Sequence, residues 1–312
     1  MALRLALNKT LNPMTKPPLI RSKSPRHTAN ADLTENNLIN LMRQASLWAI
    51  IAVGQTFVII TVGIDLSVGA VVGFSGVVVA MAMKAGVPIP LSILLTLAVG
   101  AFIGLFHAFG VIKLGLPPFI MTLATLTALR GIGLLMTNGA TISGLPDRFT
   151  DFALQSALGI PTLFWMVILV AVPAYFFLHH SRGGRYLFAI GSNAEAARLS
   201  GVAVQFWLCI AYTLSAVLAA FAGVLTTSRI SIGSATTAEG WELQSIAASV
   251  IGGTSLFGAV GSVHGPLLGS FLLTTINNGA NLLNVNPFWQ RIITGALIIV
   301  IVYFDQLRRR RS

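Results

Sequence analysis

A chain of 312 residues with 55% hydrophobic and only 9% charged side chains cannot be an ordinary soluble domain, in which about 25% of residues are charged. Its mean hydropathy of +0.82 comes from recurring apolar runs of about 20 residues, enough to cross a hydrocarbon layer about 30 Å thick. The net charge of +11 does not indicate nucleic acid, because the basic residues sit in the N-terminal tail, the loops and the C-terminus, where cytoplasmic flanks of membrane proteins carry them. The fold class is therefore all-α, a polytopic helical membrane protein.

Residues 1–44 are polar and basic and are punctuated by Pro13, Pro17, Pro18 and Pro25. They contain no apolar core of signal-peptide or span length and read as a disordered tail, in which Leu38, Leu41 and Met42 form at most one amphipathic turn. The transmembrane part is predicted over 45–304, as about nine spans: 45–63, 66–83, 89–112, 117–137, 161–179, 205–228, 242–258, 263–284 and 287–304. The seventh is the weakest, since it opens on Glu242 and Gln244 and is interrupted by Gly252 and Gly253. Residues 305–312 form a basic tail whose run Arg308 to Arg311 marks a cytoplasmic end and suits anionic lipid. Cys209, the single cysteine, lies in an apolar span and excludes an internal disulfide.

Between the fifth and sixth spans lies a polar island, residues 182–202, reading RGGRYLFAIGSNAEAARLSGV. Ser192 can cap a short helix whose third residue, Glu195, reaches back to the capping amide. Gly201 stands where a left-handed C-terminal cap belongs. The arginines place this loop in the cytoplasm, and four crossings after it return the C-terminus to the same side. Counted backwards, the same rule puts residues 138–160 outside, and the basic N-terminal tail outside as well, which contradicts the charge rule. One span is missing or one of the nine is misread.

Glycines within the spans form small-xxx-small faces at Gly100 with Gly104 and at Gly265 with Gly269, which allow close helix contact. Gly63–Gly69 and Gly253–Gly258 are both glycine-bounded breaks between apolar runs. If 45–137 and 205–304 are repeats, the spacing makes them an inverted pair, a common transporter plan.

No enzyme constellation is present. The chain lacks a GxxxxGK[ST] phosphate loop and so has no ATP site of its own; GxSxG and HExxH are also absent. The histidines make no metal site: His179 and His180 sit at a span end, and His107 and His264 are isolated and expected to bond a neighbouring helix. Charge inside a membrane is costly. Asp65, in the first break, either caps the next helix through the amides ahead of it or lines a polar path. Arg130, deep in the fourth span, needs a partner, and Asp65 is one choice. Glu239 and Glu242, flanking Trp241 at the outer entry of the seventh span, are candidate contacts for a partner protein. Asn277, Asn278 and Asn281 fall within about one helical turn; with Gln55, Thr56, Asn138 and Gln290 they offer neutral donors and acceptors suited to a polyhydroxylated solute. Hydrogen bonding between helices explains them equally well.

These segments resemble the membrane permease subunits of bacterial ribose-type ABC importers, over about residues 36 to 307. The matching pieces are NNLINLMRQAS (36–46), GIDLSVG (63–69), PPFIMTLATLTALRG (117–131), GRYLFAIGSNAEAARLSGV (184–202), ELQSIAASVIGGTSLFG (242–258) and NNGANLL (277–283). The resemblance implies a subunit of the bacterial inner membrane that pairs with a second permease copy or homologue around a translocation path. It also implies a cytoplasmic ATPase, carrying ATP and Mg, and a periplasmic sugar-binding protein as partners. The coupling role falls on Ser192, Asn193, Glu195, Arg198, Leu199 and Gly201. Relatives usually have about ten spans, with an apolar helix before the NNL segment that residues 1–35 cannot supply, so an altered or truncated N-terminus is expected. The function implied is import of ribose or a similar monosaccharide. A stand-alone secondary transporter or channel for a small polar solute is the alternative, and Asp65 with Arg130 is thin material for the ion relay it would need.

Overall fold

In the computed structural model, which describes residues 34–311, the first helix α1 spans Glu35–Ile60. It starts well ahead of the predicted residue 45, so residues 35–44 of the expected tail are helical; residues 1–33 lie outside the described part. Glu35 favours a helix N-terminus through the macrodipole, and Leu41, Ala45 and Trp48 then recur on one buried face. There follow α2 (Val68–Lys84), α3 (Ile89–Ile112), α4 (Pro118–Thr137) and the short α5 (Asp147–Leu154). A two-stranded antiparallel hairpin, β1 (Ser156–Ala157) with β2 (Ile160–Pro161), pairs Ser156 with Pro161 and Ala157 with Ile160. Then come α6 (Thr162–Tyr175), α7 (Arg182–Ser192), α8 (Ala194–Leu199), α9 (Val204–Ile230), α10 (Trp241–Ile251), α11 (His264–Leu282) and α12 (Pro287–Arg311). Prolines open several of these helices, where a missing N–H costs nothing: Pro88 precedes α3, Pro118 begins α4, Pro161 precedes α6 and Pro287 begins α12. Pro173, inside α6, has the opposite effect. It removes a donor, and α6 continues as a π-helical turn over Phe176–His180.

Among the described residues, five helices are long and apolar enough to cross a membrane: α1, α3, α4, α6 with its π turn, and α9. Of the remaining predicted spans, 263–284 is seen as α11 (His264–Leu282), and the others differ in length. α2 is apolar but has only 17 residues. The seventh predicted span shrinks to α10, whose 11 residues reach about 16 Å at 1.5 Å per residue. α12 runs on past residue 304 to Arg311, through most of the expected tail.

Polar contacts sort the loops onto two ends of the bundle. At one end Ala259 N donates to Ile60 O at 3.0 Å, Gly191 of α7 lies against the same two residues, and Asp305 accepts from Ser255 Oγ and Leu256 N at 3.1 Å each. The opposite end joins Arg43 to Leu154 O, Asn278 Nδ2 to Asn37 Oδ1 at 3.1 Å, and Ile142 to Gly233 in a β-bridge. The start of α1 thus lies at the end away from α7 and α8, and α12 finishes beside them.

The chain halves exchange their packing partners. α3 and α2 of the first half pack on α9 of the second, while α11 and α10 of the second pack on α1 of the first. In this correspondence the break after α1, residues 61–67, matches residues 231–240 after α9. The sequence had instead suggested Gly253–Gly258 as its counterpart. The small-residue faces sit at these crossings. A Cβ on Gly104 would meet Thr213 Cα at 2.5 Å and Tyr212 O at 2.7 Å, both backbone atoms that cannot swing aside. Gly269 has Ala248 backbone against it in the same way.

Gly104→Leu should therefore lower the thermal stability of the detergent-purified protein, by about 1–3 kcal/mol or enough to prevent folding. Gly279→Ala, a position with open space, should leave the melting temperature unchanged; equal melting of the two variants would contradict the packing described.

Candidate functional site

Two stretches of non-helical backbone run inside the bundle, and side chains satisfy both. In the first, Asp65 is fully buried. Its Oδ1 accepts from Ser67 N (2.9 Å) and Ser67 Oγ (2.6 Å), and its Oδ2 accepts from Ser215 Oγ of α9 at 2.9 Å. Asp65 thus bonds an amide ahead of it, but that amide belongs to Ser67, the N-cap residue of α2, which itself makes no side-chain cap bond. With its carboxamide turned so that both of its groups pair, Gln55 holds the same residue's backbone, donating to Asp65 O at 3.1 Å and accepting from Asp65 N at 3.2 Å. Thr122 Oγ1 of α4 accepts from Leu66 N at 3.1 Å. Thr56 Oγ1 donates to Ala52 O at 2.8 Å and lies 3.2 Å from Ser249 Oγ of α10. Gln55, Thr56 and Asp65 accordingly act together as the internal frame of the first break and border neither of the two cavities described below.

The second stretch is longer. After α9 ends at Ile230, residues 231–240 descend along α2: Gly233 lies against Ala80 and Gly76, Ala235 and Thr237 against Gly73, and Ala238 with Glu242 against Gly69. The α2 glycines leave the room that this backbone occupies. Arg130 of α4 does not pair with Asp65. Its Nη1 donates to Ala235 O and, at 2.8 Å, to Thr237 O, so a cation in the apolar bundle serves as a double donor to exposed carbonyls. α10 then starts inside the bundle, where Trp241 meets Trp48 of α1 with ring centroids 6.1 Å apart at 79°.

Beside this broken span opens a cavity of about 660 Å³. Asn277, Asn278 and Asn281 of α11 all face it, as do Glu239, Trp241 and Glu242. Two groups of residues assigned to separate roles from sequence therefore share one site. Asn278 bonds Asn37, and Asn281 Oδ1 accepts from Gln290 Nε2 at 2.8 Å. Arg229 Nη1 donates to Gln44 Oε1 at 2.5 Å on the same wall. The sequence offered no sign that Gln44, Trp48 or Gln244 belonged here, because they lie on α1 and α10 and only the descent of 231–240 brings those helices together. Asn138 ends α4 in a left-handed conformation, φ 50°, away from the cavity.

The polar island folds as an elbow of two helices. Residues 182–192, read as loop, form α7, which Ser181 caps by accepting from Gly184 N at 3.1 Å. The cap of α8 is Asn193, one residue later than the expected Ser192, its Oδ1 accepting from Ala196 N at 2.9 Å. Ser192 is spent as the last residue of α7. Glu195 does not turn back to the cap but pairs with Arg198 at 2.5 Å, and that hydrogen bond holds its carboxyl below the usual carboxylate range. Gly201 has φ +83°, with its N–H on Arg198 O and Val202 N–H on Ala197 O, both at 3.0 Å, the paired bonds of a Schellman cap. Ala197 is tucked against the bundle while Leu199 stands 75% exposed.

His107 differs from expectation. It is fully buried, stacks edge-on against Tyr212 at 6.3 Å, and neither ring nitrogen has a hydrogen-bond partner. His264 lies 6.2 Å from His179 and borders an apolar groove of about 480 Å³ between α1, α6 and α11.

The model for the permease component of branched-chain amino acid transport systems matches residues 37–302. The chain belongs to this permease family. It is 40% identical to the ribose import permease protein RbsC of Escherichia coli K12 over 280 residues, covering 88% of this chain and 87% of that one. It is 41% identical to RbsC of Bacillus subtilis 168, covering 86% and 84%, and 37% identical to the D-allose transport system permease protein AlsC of E. coli K12, covering 88% and 85%. No solved structure matches the permease.

Arg130→Met should strip two carbonyls of the permease of their donor, at about 1–3 kcal/mol for each group left unsatisfied. A cysteine at Thr236, in a Cys209→Ser background, should then react faster with a membrane-impermeant maleimide; unchanged labelling would show that Arg130 does not hold the segment.

Proposed function

We propose that this chain is the membrane subunit of an ATP-driven importer of ribose or a similar monosaccharide, docked to a separate cytoplasmic ATPase through α8. The observation that carries the reading is the elbow. A chain otherwise made of apolar helices presents one short, doubly capped helix between α7 and α9, with Leu199, Glu195 and Arg198 on its exposed side. Leu199 beside the Glu195–Arg198 pair gives the exposed side of α8 one apolar and one charged contact, the mixture that protein interfaces use. The arginines around the elbow put that end of the bundle in the cytoplasm. On this orientation the Glu239 and Asn277 side opens outward, towards a sugar-delivering binding protein in the periplasm.

The relatives support the sugar class, as their names specify ribose and D-allose. The chemistry of the bundle supports an external energy source. Asp65 accepts three hydrogen bonds from Ser67 and Ser215, so it is engaged in the frame of the first break rather than poised to carry a proton or cation. The sequence contains no phosphate-binding loop, and ATP with its Mg would belong to the partner. A second permease copy would complete the path through the membrane.

In proteoliposomes holding the permease, its cognate ATPase and its binding protein, deleting residues 192–201 should abolish uptake while leaving the permease folded and inserted. Leu199→Glu should weaken ATPase association by about tenfold or more, as expected for a charge placed in an apolar contact. Because the Glu195 carboxyl is held low by Arg198, the pair is intact above the unfolded carboxylate value and is lost only as pH falls through the lowered one. Association measured by pull-down should therefore be flat across the neutral range. Sugar uptake that survives the deletion would refute the docking role.

A further inference from the structure

We infer that Arg130 has a second partner in Glu242, and that its transfer from the carbonyls of Ala235 and Thr237 to this carboxylate makes a second state of the permease, in which residues 234–240 leave α2. The transfer needs the import reading above only for the transport step that it serves. It makes Glu242 a positioning residue of the second break rather than a contact for a partner protein.

The carboxylate and the cation face the same side of α2. Glu242 Oε2 is buried without a hydrogen-bond partner and packs against Gly69, where Ala238 O, beside it, offers no donor. A buried carboxylate oxygen left in this way is unfavourable. Arg130 Nη1 packs against Gly73, one turn further along the helix, and positions four residues apart on a helix have their Cβ sites about 5–6 Å apart. The carbonyls of Ala235 and Thr237 lie at Gly73 and that of Ala238 at Gly69, so the segment is laid along the face that both side chains reach. Glu242 and Glu239 are the acidic groups whose charge acts on Arg130, yet the one ion pair among the described residues is Glu195–Arg198, on the elbow. Asp65 is already engaged by Ser67 and Ser215.

The backbone between them is strained. Ser231 and Ala238 have φ of 60° and 61°, a left-handed conformation that is unfavourable for residues with a Cβ and that clusters at switch segments. The bridge of Gly233 to Ile142 fixes the upstream end, and Gly240, with φ 83°, joins the other end to α10. Residues 234–240 are therefore the part that can move, and the guanidinium on two of their carbonyls holds them down. Arg130 turned to Glu242 gives the orphaned oxygen its donor and releases those carbonyls towards the cavity, whose wall includes Glu239 and Gly240. The charge-assisted bond of the second state offsets the two carbonyl bonds of the first. Two arrangements that each satisfy the same cation differ little in free energy, and such a pair is what a ligand or a partner can bias.

The test follows hydrogen–deuterium exchange of residues 234–240 in purified full-length permease in lipid nanodiscs, since exchange reports how often the segment opens. Glu242→Gln, nearly the same shape, removes the charge that the second state needs. It should slow exchange by about tenfold, the effect of one hydrogen bond to a charged group, and leave the melting temperature unchanged. Arg130→Gln should speed exchange, and in that background Glu242→Gln should have no further effect. Glu239→Gln should leave exchange as it is. Faster exchange or a lower melting temperature in Glu242→Gln would mark a bracing residue and overturn the transfer. Slowing that persists in the Arg130→Gln background, or that Glu239→Gln reproduces, overturns it as well. Sugar uptake by the importer reconstituted with its ATPase and binding protein is measured alongside, and should fall about tenfold in Glu242→Gln. Unchanged uptake overturns the transfer as a step of transport while the import reading stands. If the wild-type importer carries no monosaccharide, the import reading fails, and the exchange data alone decide whether Arg130 changes partner.

Discussion

Backbone without helical hydrogen bonds cannot stand in hydrocarbon, where each unpaired N–H or C=O costs several kcal/mol. This permease carries such backbone twice, and the constraint explains most of its unusual side chains. Arg130 would be hard to account for as an ion-pair member, since among the described residues no carboxylate lies within ion-pair distance of it. As a donor to Ala235 O and Thr237 O it does what water does for an exposed loop. Gln55 and Thr122 serve the first break in the same way, one from α1 and one from α4. The glycines of α2 are the steric half of the same solution. Gly69, Gly73 and Gly76 lie on one helical face, and a non-helical segment can approach that face closely only where side chains are missing.

The polar cavity follows from the break. A full-length helix in place of residues 231–240 and α10 would fill the space beside α11, and the amides of Asn277 and Asn281 would face another helix. Because α10 begins partway through the bundle, its first turn presents Trp241 and Glu242 to the gap, and α1 supplies Trp48 opposite. Transporters with broken helices place polar sites where helical pairing is interrupted. Here the interruption and most of the polar lining occur in the same half of the chain, with Asn40 and Gln44 added from α1. The exchanged packing, with α3 on α9 and α11 on α1, ties that half to the other, so neither break is structurally independent.

The class of fold was legible from hydropathy alone, because a run of about 20 apolar residues has few other uses. The elbow was partly legible. Gly201 and the helix 194–199 emerge from local capping chemistry, but the cap moved from Ser192 to Asn193 because α7 runs through Ser192, and nothing in a run containing Gly183, Gly184 and three polar residues announces a helix. The start of α1 was missed for a related reason. Glu35, Asn36, Asn37 and Asn40 make that segment look like a tail, and it is a helix because Leu41, Ala45 and Trp48 are buried by α11 and its neighbours. The cavity was legible only as scattered candidates. Asn277, Glu239 and Trp48 are far apart in the chain, and their meeting depends on where non-helical residues run, which periodicity does not encode.

The elbow and the breaks also form one contact system. Gly191, near the end of α7, has Ile60 O and Ala259 N against it, and Ala259 N donates to Ile60 O. Ile60 is the last residue of α1 before the first break, and Ala259 belongs to the loop that follows α10 and so the second. No side chain could be inserted at Gly191 without moving both. A force applied at α8, as the proposed ATPase would apply it, therefore reaches the ends of the two broken spans through backbone contacts rather than through flexible side chains. The far end, where the cavity opens, is joined to the elbow along α1 and α10 and also along α9, on which both α7 and α8 pack.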